Sequence, residues 1–459
     1  MDGKSGSALL KPVVDGRYRR ATRGRGVRLF DDEGNSYLDG SSGAMTANIG
    51  HGRPEIAAAL QAQAKQLAFS YRSQFTNVPA EELAHRITAL APGDLNYAFF
   101  VNSGSEASEY AIRTAVSYWQ RQQRHDKTTI VSRHVSYHGM SMGALSMSGH
   151  NARRPDYGDL LHRFPNAPAA HAYRFAKPGE TEAEYADRAA YEFESAIEEF
   201  GAASVAGIIV EPIVGAAGGV LVPPRGYLRR LREICDRHEV LFIVDEVITG
   251  MGRTGEWFAC HDEGIVPDIL LLGKGLSAGY TPVAGALLRE HIVDVFRSGT
   301  GTAPFGHTFS GNPLGAAACL AVLDVMDNSH VLGNVRARGR QLEDGLQSLQ
   351  KRYDFIDDVR GRGLLWGFEF VLDRTNRQPP KAECNASTSF TEICFAKGLV
   401  VYPAGIAPLN NAVIVAPPLT ITADEIRELL ELLDDALSSF EPVIEKWRAA
   451  ATPTTLSTF

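Results

Sequence analysis

The 459-residue sequence has little cysteine, no long apolar run and no concentration of basic charge. Its five cysteines (Cys235, Cys260, Cys319, Cys384 and Cys394) are odd in number and show no CxxC spacing. That argues against a disulfide framework or a cysteine-held zinc, and predicts a reduced, cytoplasmic setting. No stretch approaches the roughly 20 apolar residues of a membrane helix. The start, Met1-Asp-Gly-Lys-Ser-Gly-Ser-Ala, has no apolar signal core. A formal net charge of -8, without a basic run, predicts no nucleic-acid partner and no membrane surface. The 13 histidines include no HExxH or similar spacing, so no metal site is expected.

Three short apolar runs carry the chemistry. They are Gly207-Ile-Ile-Val-Glu211, Val240-Leu-Phe-Ile-Val-Asp245 and Asp268-Ile-Leu-Leu-Leu-Gly-Lys274. Each run is short, continuous and rich in Val, Ile or Leu, which reads as a strand buried on both faces. Glu211 and Asp245 are 34 positions apart, and Asp245 and Lys274 are 29 apart. Both gaps are close to the strand-helix-strand repeat of about 30 residues. Ligands of open parallel sheets bind beyond the carboxyl ends of the strands. Two acids and a lysine are therefore predicted to meet in one crevice. A lysine able to form a Schiff base, with an aspartate for a pyridinium nitrogen, is what pyridoxal phosphate requires of a protein.

The rest of the chain is organised around these runs. Its length exceeds one ordinary domain core. Residues 1 to about 20 read as an arm. Val27-Arg-Leu-Phe and the stretch to Asp39 read as strand, turn, strand, and residues 54–68 and 79–91 read as helices. From about 97 to 315 strands and helices alternate, as in an α/β sheet. Asn166 to about Asp187, rich in Pro, Ala and Gly, reads as a surface loop. Helices are expected over 316–353. Strands are expected at Gly363–Phe370, Gly398–Tyr402 and Ala412–Val415, and an amphipathic closing helix over 422–449. Residues 374–389 read as polar and mobile, and the last ten as frayed.

Phe99-Phe-Val-Asn-Ser-Gly104-Ser105 reads as a strand running through small residues into a helix. Gly104 permits close backbone approach, and free N–H groups at a helix start favour an anion. The same residues also read as an ordinary N-cap.

In order along the chain stand Asn102-Ser-Gly-Ser-Glu-Ala107, Tyr137-His-Gly139, Glu211-Pro212, Asp245-Glu-Val247, Gly252-Arg-Thr-Gly255, Lys274 and His307-Thr-Phe-Ser-Gly-Asn-Pro313. This ordered set, from about residue 30 to about 440, resembles the class III (omega) aminotransferases, most like the amine:pyruvate branch. The resemblance implies an α/β fold of the fold-type I pyridoxal-phosphate transferases. Such a fold has a large domain with a mostly parallel central sheet flanked by helices, and a smaller α+β domain. On that basis 1–65 is expected to hold the arm and part of the small domain, 66–335 the large domain, and 336–459 the rest of the small domain.

The resemblance further implies roles. Lys274 would bind pyridoxal phosphate covalently and later shuttle a proton. Asp245 would pair with the ring nitrogen. Tyr137 and Val247 would press on the two ring faces. Gly104 and Ser105, beside Ser103, would hold the phosphate. His138, Gly139 and Glu211 would be further cofactor contacts, although Glu211 also reads as a gate for an arginine or as a loop cap. Thr308 would reach the phosphate of a neighbouring subunit, making a homodimer the active unit. A primary amine or omega-amino acid and a keto acid would be the substrates. Racemases, decarboxylases and aminomutases on the same fold would share Lys274 and Asp245.

Two other patterns compete. Gly250-Met-Gly252-Arg-Thr-Gly255 fits GxGxxG, but Glu256-Trp-Phe-Ala is a poor helix start and Asp268 begins its strand rather than ending it. Gly139-Met-Ser141-Met-Gly143 fits the GxSxG elbow, but His134–His138 is not an apolar strand.

Position 140 bears on the substrate. The resemblance associates arginine there with the ornithine and 4-aminobutyrate branches, and aspartate with the biotin-pathway branch. Met140 is uncharged and adaptable, as in the amine:pyruvate branch. That branch commonly carries a carboxylate-binding arginine shortly before its Pro-Pro pair. The stretch Tyr402 to Pro418 has none. Arg72 is the substitute considered. Met45 stands near the place of a tryptophan common in the branch, in a widened pocket. Met45, Arg72, Tyr137 and Met140 are thus the expected substrate contacts.

Overall fold

Strands of uniform Val, Ile and Leu build the centre of the molecule. The computed structural model describes residues 7–451. Its seven-stranded sheet runs in the order Tyr97–Val101, Ala284–Leu288, Ile269–Leu272, Leu241–Asp245, Val205–Val210, Thr129–Arg133 and Asn166–Ala167. Ala284–Leu288 is antiparallel to both its neighbours, and the pairings from Ile269–Leu272 to Asn166–Ala167 are parallel. Every residue of Val205–Val210, Leu241–Asp245 and Ile269–Leu272 is buried. Helices cover both faces of such a sheet, so its strands show no polar alternation. Helix Gly104–Arg121 packs across the sheet, and Glu182–Phe200 lies against Tyr227–His238.

Two four-stranded sheets flank this layer. One joins Ala21–Arg25, Arg28–Asp31, Ser36–Asp39 and Leu399–Val400, with Leu399 paired in parallel to Leu38. The other joins Ile356–Arg362, Leu365–Phe370, Ala412–Val415 and Tyr402–Ala404, all antiparallel. The closing helix Ala423–Ala450 starts at a capping box in which Thr422 and Glu425 satisfy each other's backbone N–H groups. It buries Ile426, Leu429, Leu433, Leu437, Phe440 and Ile444 along one face. The mixed α/β architecture, with a large parallel-rich sheet and smaller sheets, is the one expected.

Several local readings need correction. Asn166 to Asp187 is not a surface loop. Asn166–Ala167 extends the central sheet, and Ala167, Ala169, Ala170 and His171 are buried. Small residues there allow close packing, which composition alone reads as a loop. The Thr181/Glu184 capping box was the available signal, and it opens helix Glu182–Phe200. Residues 374–389, read as mobile, are tied down: Arg374 donates to the carbonyls of Tyr353 (2.7 Å) and Ile356 (3.0 Å), and helix Ala386–Ala396 begins inside the stretch. At the amino terminus, residues 7–20 contain no helix or strand and leave Leu9, Leu10, Val13 and Val14 exposed. The remainder of the expected arm, 1–6, lies outside the described residues. At the other end Ala450 still belongs to the closing helix, and 452–459 of the stretch read as frayed also lie outside them.

Candidate active site

Parallel register aligns the three strand ends. Val210 pairs with Val244, and Asp245 with Leu271. Glu211, Asp245 and Lys274 follow or end these strands on the same edge. All three line a cavity of about 460 Å³, together with Ser103, Gly104, Ser105, Tyr137, His138, Gly139 and Val247. Lys274 opens a short 3-10 turn with a left-handed backbone (φ 39°), uncommon for a residue with a side chain. Its Nζ donates to the carbonyl of Ala44 at 2.8 Å.

The electrostatics favour a lysine that gives up its proton. Burial pushes Lys274 down to about 8, against the opposing pull of Asp245 and Glu211. Burial likewise pushes Glu211 above the usual carboxylate range, helped by the neighbouring Asp245 charge. Glu211 accepts the N–H groups of Tyr137 (3.0 Å) and Gly215 (2.9 Å). It therefore fixes the Tyr137 backbone and closes the loop after its own strand. No arginine side chain pairs with it among the described residues; in this arrangement it caps the loop after its own strand. Asp245 holds the N–H of Val247 on one oxygen (3.1 Å) and the Nδ1 of His138 on the other (2.8 Å). The Nε2 of His138 is buried without a hydrogen-bond partner.

The cavity is also lined by a helix start. Ser103 caps Gly104–Arg121, its hydroxyl accepting the N–H of Glu106 at 3.2 Å. That hydroxyl is thus engaged by the helix, whereas the first-turn N–H groups of Gly104 and Ser105 have no intrahelical acceptor. The Ser105 hydroxyl accepts the N–H of Met140 at 3.0 Å. Gly139 has φ 133°, and a Cβ there would lie 2.5 Å from the Ser105 oxygen. A Cβ on Gly104 would meet Val247 at 3.3 Å, so a larger residue would crowd the same wall.

These groups fit pyridoxal phosphate: anion-binding N–H groups at a helix start, a carboxylate held in place, and a buried amine of depressed basicity, all lining one cavity. His138, which lines the cavity, adds a buried ring nitrogen with no hydrogen-bond partner among the described residues.

The expected substrate residues are less convergent. Tyr137 lines the cavity. Met45 instead packs in an apolar cluster with Ile213, Val220, Leu365 and Ile414, and its neighbour Thr46 lines the cavity. Met140 and Thr308 are exposed, outside the cavity wall of their own chain. Arg72 donates to the carbonyl of His307 at 3.1 Å and lies against Phe99 and Phe305. Sequence reasoning missed the His138–Asp245 contact, which spans 107 positions. It also missed Ile248, Ser277, Tyr280 and Val283 on the wall. Only Ile248 lay beside a recognised motif.

Comparison with known proteins agrees with this geometry. The family model described as aminotransferase class-III matches residues 13–437. An uncharacterised aminotransferase of Bacillus subtilis (strain 168), YodT, is 41% identical over 96% of this chain and 99% of its own. An adenosylmethionine-8-amino-7-oxononanoate aminotransferase of Geobacter sulfurreducens is 36% identical over 90% of each. A taurine–pyruvate aminotransferase of Bilophila wadsworthia is 33% identical over 91% of this chain and 92% of its own. Among solved structures, an (S)-enantioselective omega-transaminase from Thermomicrobium roseum superposes with a TM-score of 0.87 at 34% identity, covering 92% of each chain. With likeness of this extent added to a lysine and two acids on aligned strand ends, the chain is an aminotransferase and belongs to class III.

Proposed function

We propose that this enzyme moves an amino group from an apolar primary amine or omega-amino acid to pyruvate or a similar keto acid. The observation that carries the proposal is Lys274, a buried amine of lowered basicity in one cavity with Asp245 and a helix N-terminus. Met140, exposed but adjoining the cavity wall at Gly139 and without charge, supports an apolar amine, and the taurine–pyruvate and omega-transaminase relatives support the acceptor and the donor class. The oxononanoate relative points to a different donor, and Met140 argues against it.

Bound pyridoxal phosphate supplies the carbonyl that exchanges for an amino group and an electron sink for the bond broken next to it. Gly104 and Ser105 would hold its phosphate through backbone N–H groups, and Asp245, oriented by His138 and the Val247 N–H, would keep a proton on its ring nitrogen. Tyr137 and Val247, both on the cavity wall, would confine the ring, Gly139 leaves room beside Ser105, and Glu211 fixes the Tyr137 backbone. The Lys274 nitrogen, once unprotonated, would be the group that accepts the substrate's carbon-bound proton and hands it back. The active unit is a homodimer in the cytoplasm, with Thr308 reaching the partner's site. The exposed placement of Thr308, Phe305 and Phe309 supports that reading. The chain divides into a large domain over 66–335 and a small one from 1–65 with 336–459; the pairing of Leu399 with Leu38 supports it.

The test is stoichiometry. Incubation with a simple primary amine and pyruvate should consume keto acid one for one with amine and release alanine. Amine consumption without keto acid consumption would favour a racemase or decarboxylase and overturn the proposal.

A further inference from the structure

A keto-acid acceptor brings a carboxylate to a cavity that already holds Glu211 and Asp245, and a carboxylate in such a place needs a cation. The stretch Tyr402 to Pro418 offers no arginine. Most guanidinium groups near the cavity are already engaged. Arg133 is fully buried and donates to the carbonyl of Glu211 at 2.6 Å. Arg53 uses its Nε on the carbonyl of Ile49 at 2.8 Å. Arg360 is divided among Asp358, Glu369 and the carbonyls of Gly218, Gly219 and Val220. Arg72 is held between Phe99 and Phe305, neither of which lines the cavity.

Arg153 is different. It ends the 3-10 turn Asn151–Arg153, is exposed, and has no carboxylate within 4.0 Å among the described residues. Its guanidinium carbon lies 4.8 Å from the ring centroid of Tyr137, and Tyr137 lines the cavity. The charge is therefore parked one ring away from the cavity, on a long side chain rooted in a short turn. His150 stands edge-on to the same ring at 6.1 Å. Burial and the Arg153 charge push His150 down to about 4, so it is neutral near pH 7 and brings no second cation. A cation over a half-buried aromatic ring is held by a modest attraction, whereas a guanidinium and a carboxylate can form two parallel charge-assisted hydrogen bonds. An arriving carboxylate can therefore draw Arg153 off the ring.

We propose that Arg153 is a specificity-determining residue of this enzyme, receiving the carboxylate of the keto-acid acceptor at the Tyr137 side of the cavity. The proposal rests on the keto-acid acceptor proposed above. It is tested on the holoenzyme by comparing a charged and an uncharged acceptor, pyruvate and benzaldehyde, after amination of the enzyme with a simple primary amine. Arg153→Gln should lower the ratio of kcat/KM for pyruvate to that for benzaldehyde by about 10- to 100-fold, chiefly through KM for pyruvate. Arg153→Lys, which keeps the charge but not the planar fork, should recover part of the loss. An unchanged ratio would overturn the proposal. So would equal losses with both acceptors, the sign of a merely structural role, or a larger fall in the ratio for Arg72→Gln than for Arg153→Gln. A wild-type enzyme that is aminated but ignores pyruvate would overturn the acceptor reading and this proposal with it. One that is not aminated at all would overturn the transaminase reading itself, before any variant is compared.

Discussion

Two buried charged groups of this molecule, both containing acids and bases, are built in opposite ways. In the cavity, Lys274 and Glu211 are each displaced toward the neutral form by burial. Beside the antiparallel sheet, Glu369 and Asp358 meet Arg174, Arg360 and His171. Burial pushes both acids up there too, but Arg360 and its neighbours outweigh it and hold them below the usual range. Arg360 lies 3.0 Å from Glu369, and His171 lies 3.1 Å from Asp358. The second cluster ties the buried segment at His171 to strands Ile356–Arg362 and Leu365–Phe370. Its carboxylates are paired internally and keep their charges, although burial pushes His171 toward its neutral form. The cavity group is left able to exchange protons, which is the property an enzyme needs near pH 7.

Substitutions can break this contrast, and the largest effect is expected at Lys274. Lys274→Ala should lower turnover at least about 1000-fold, since it removes both the covalent anchor and the proton carrier. The folded content by circular dichroism should not fall. Full activity would remove the basis for reading the cavity as catalytic. Next in size is Glu369→Ala. Leaving Arg174 and Arg360 buried without their acid should destabilise the protein by about 3–5 kcal/mol in chemical denaturation, with turnover per folded molecule retained. A loss of turnover without a loss of stability would reverse the roles of the two clusters.

Asp245→Asn should retain the hydrogen bonds with His138 and Val247 in part, yet slow turnover about 100-fold, because a neutral amide does not hold a proton on the ring nitrogen. Turnover of the purified variant at saturating pyridoxal phosphate checks this. Smallest is the pH response of Glu211 and Glu369. A carboxyl with a raised folded pKa binds its proton more tightly in the native state. Glu211 therefore costs stability as pH rises above about 4.5, the ordinary glutamate value. Glu369 is lowered, so its contribution is present above that pH and is lost as pH falls below it. In the cofactor-free protein at pH 7, Glu211→Gln should leave stability unchanged or raised by about 1 kcal/mol, and Glu369→Gln should lower it. Thermal midpoints between pH 4 and 8 would contradict the contrast if both variants shifted in the same direction.

What the sequence revealed follows the same division. The strand ends were legible because Glu211, Asp245 and Lys274 each follow a continuous apolar run, and parallel register needs no distant information to align them. The closing helix and the Gly104–Arg121 helix were legible from periodicity and small-residue turns. The His171 cluster was hidden, because its members lie nearly 200 positions apart and its first segment looks like a loop by composition. Met45 was misplaced for a related reason. Position near a motif locates a backbone, but the left-handed residues Ser42, Gly43 and Met45 turn the side chains of that loop, so Thr46 lines the cavity and Met45 faces the apolar cluster. Arg153 carried no sequence signal, since its contact with Tyr137 arises only from the turn that brings it back over the ring.

The most direct measurement is the visible absorption spectrum of the purified protein and of Lys274→Ala, before and after a simple primary amine, and again after pyruvate. The account predicts a pyridoxal phosphate band in the wild type that is lost with amine and restored by pyruvate, and no such cycle in the variant. A wild type with no band even after pyridoxal phosphate is added, or a variant that cycles as the wild type does, would contradict it.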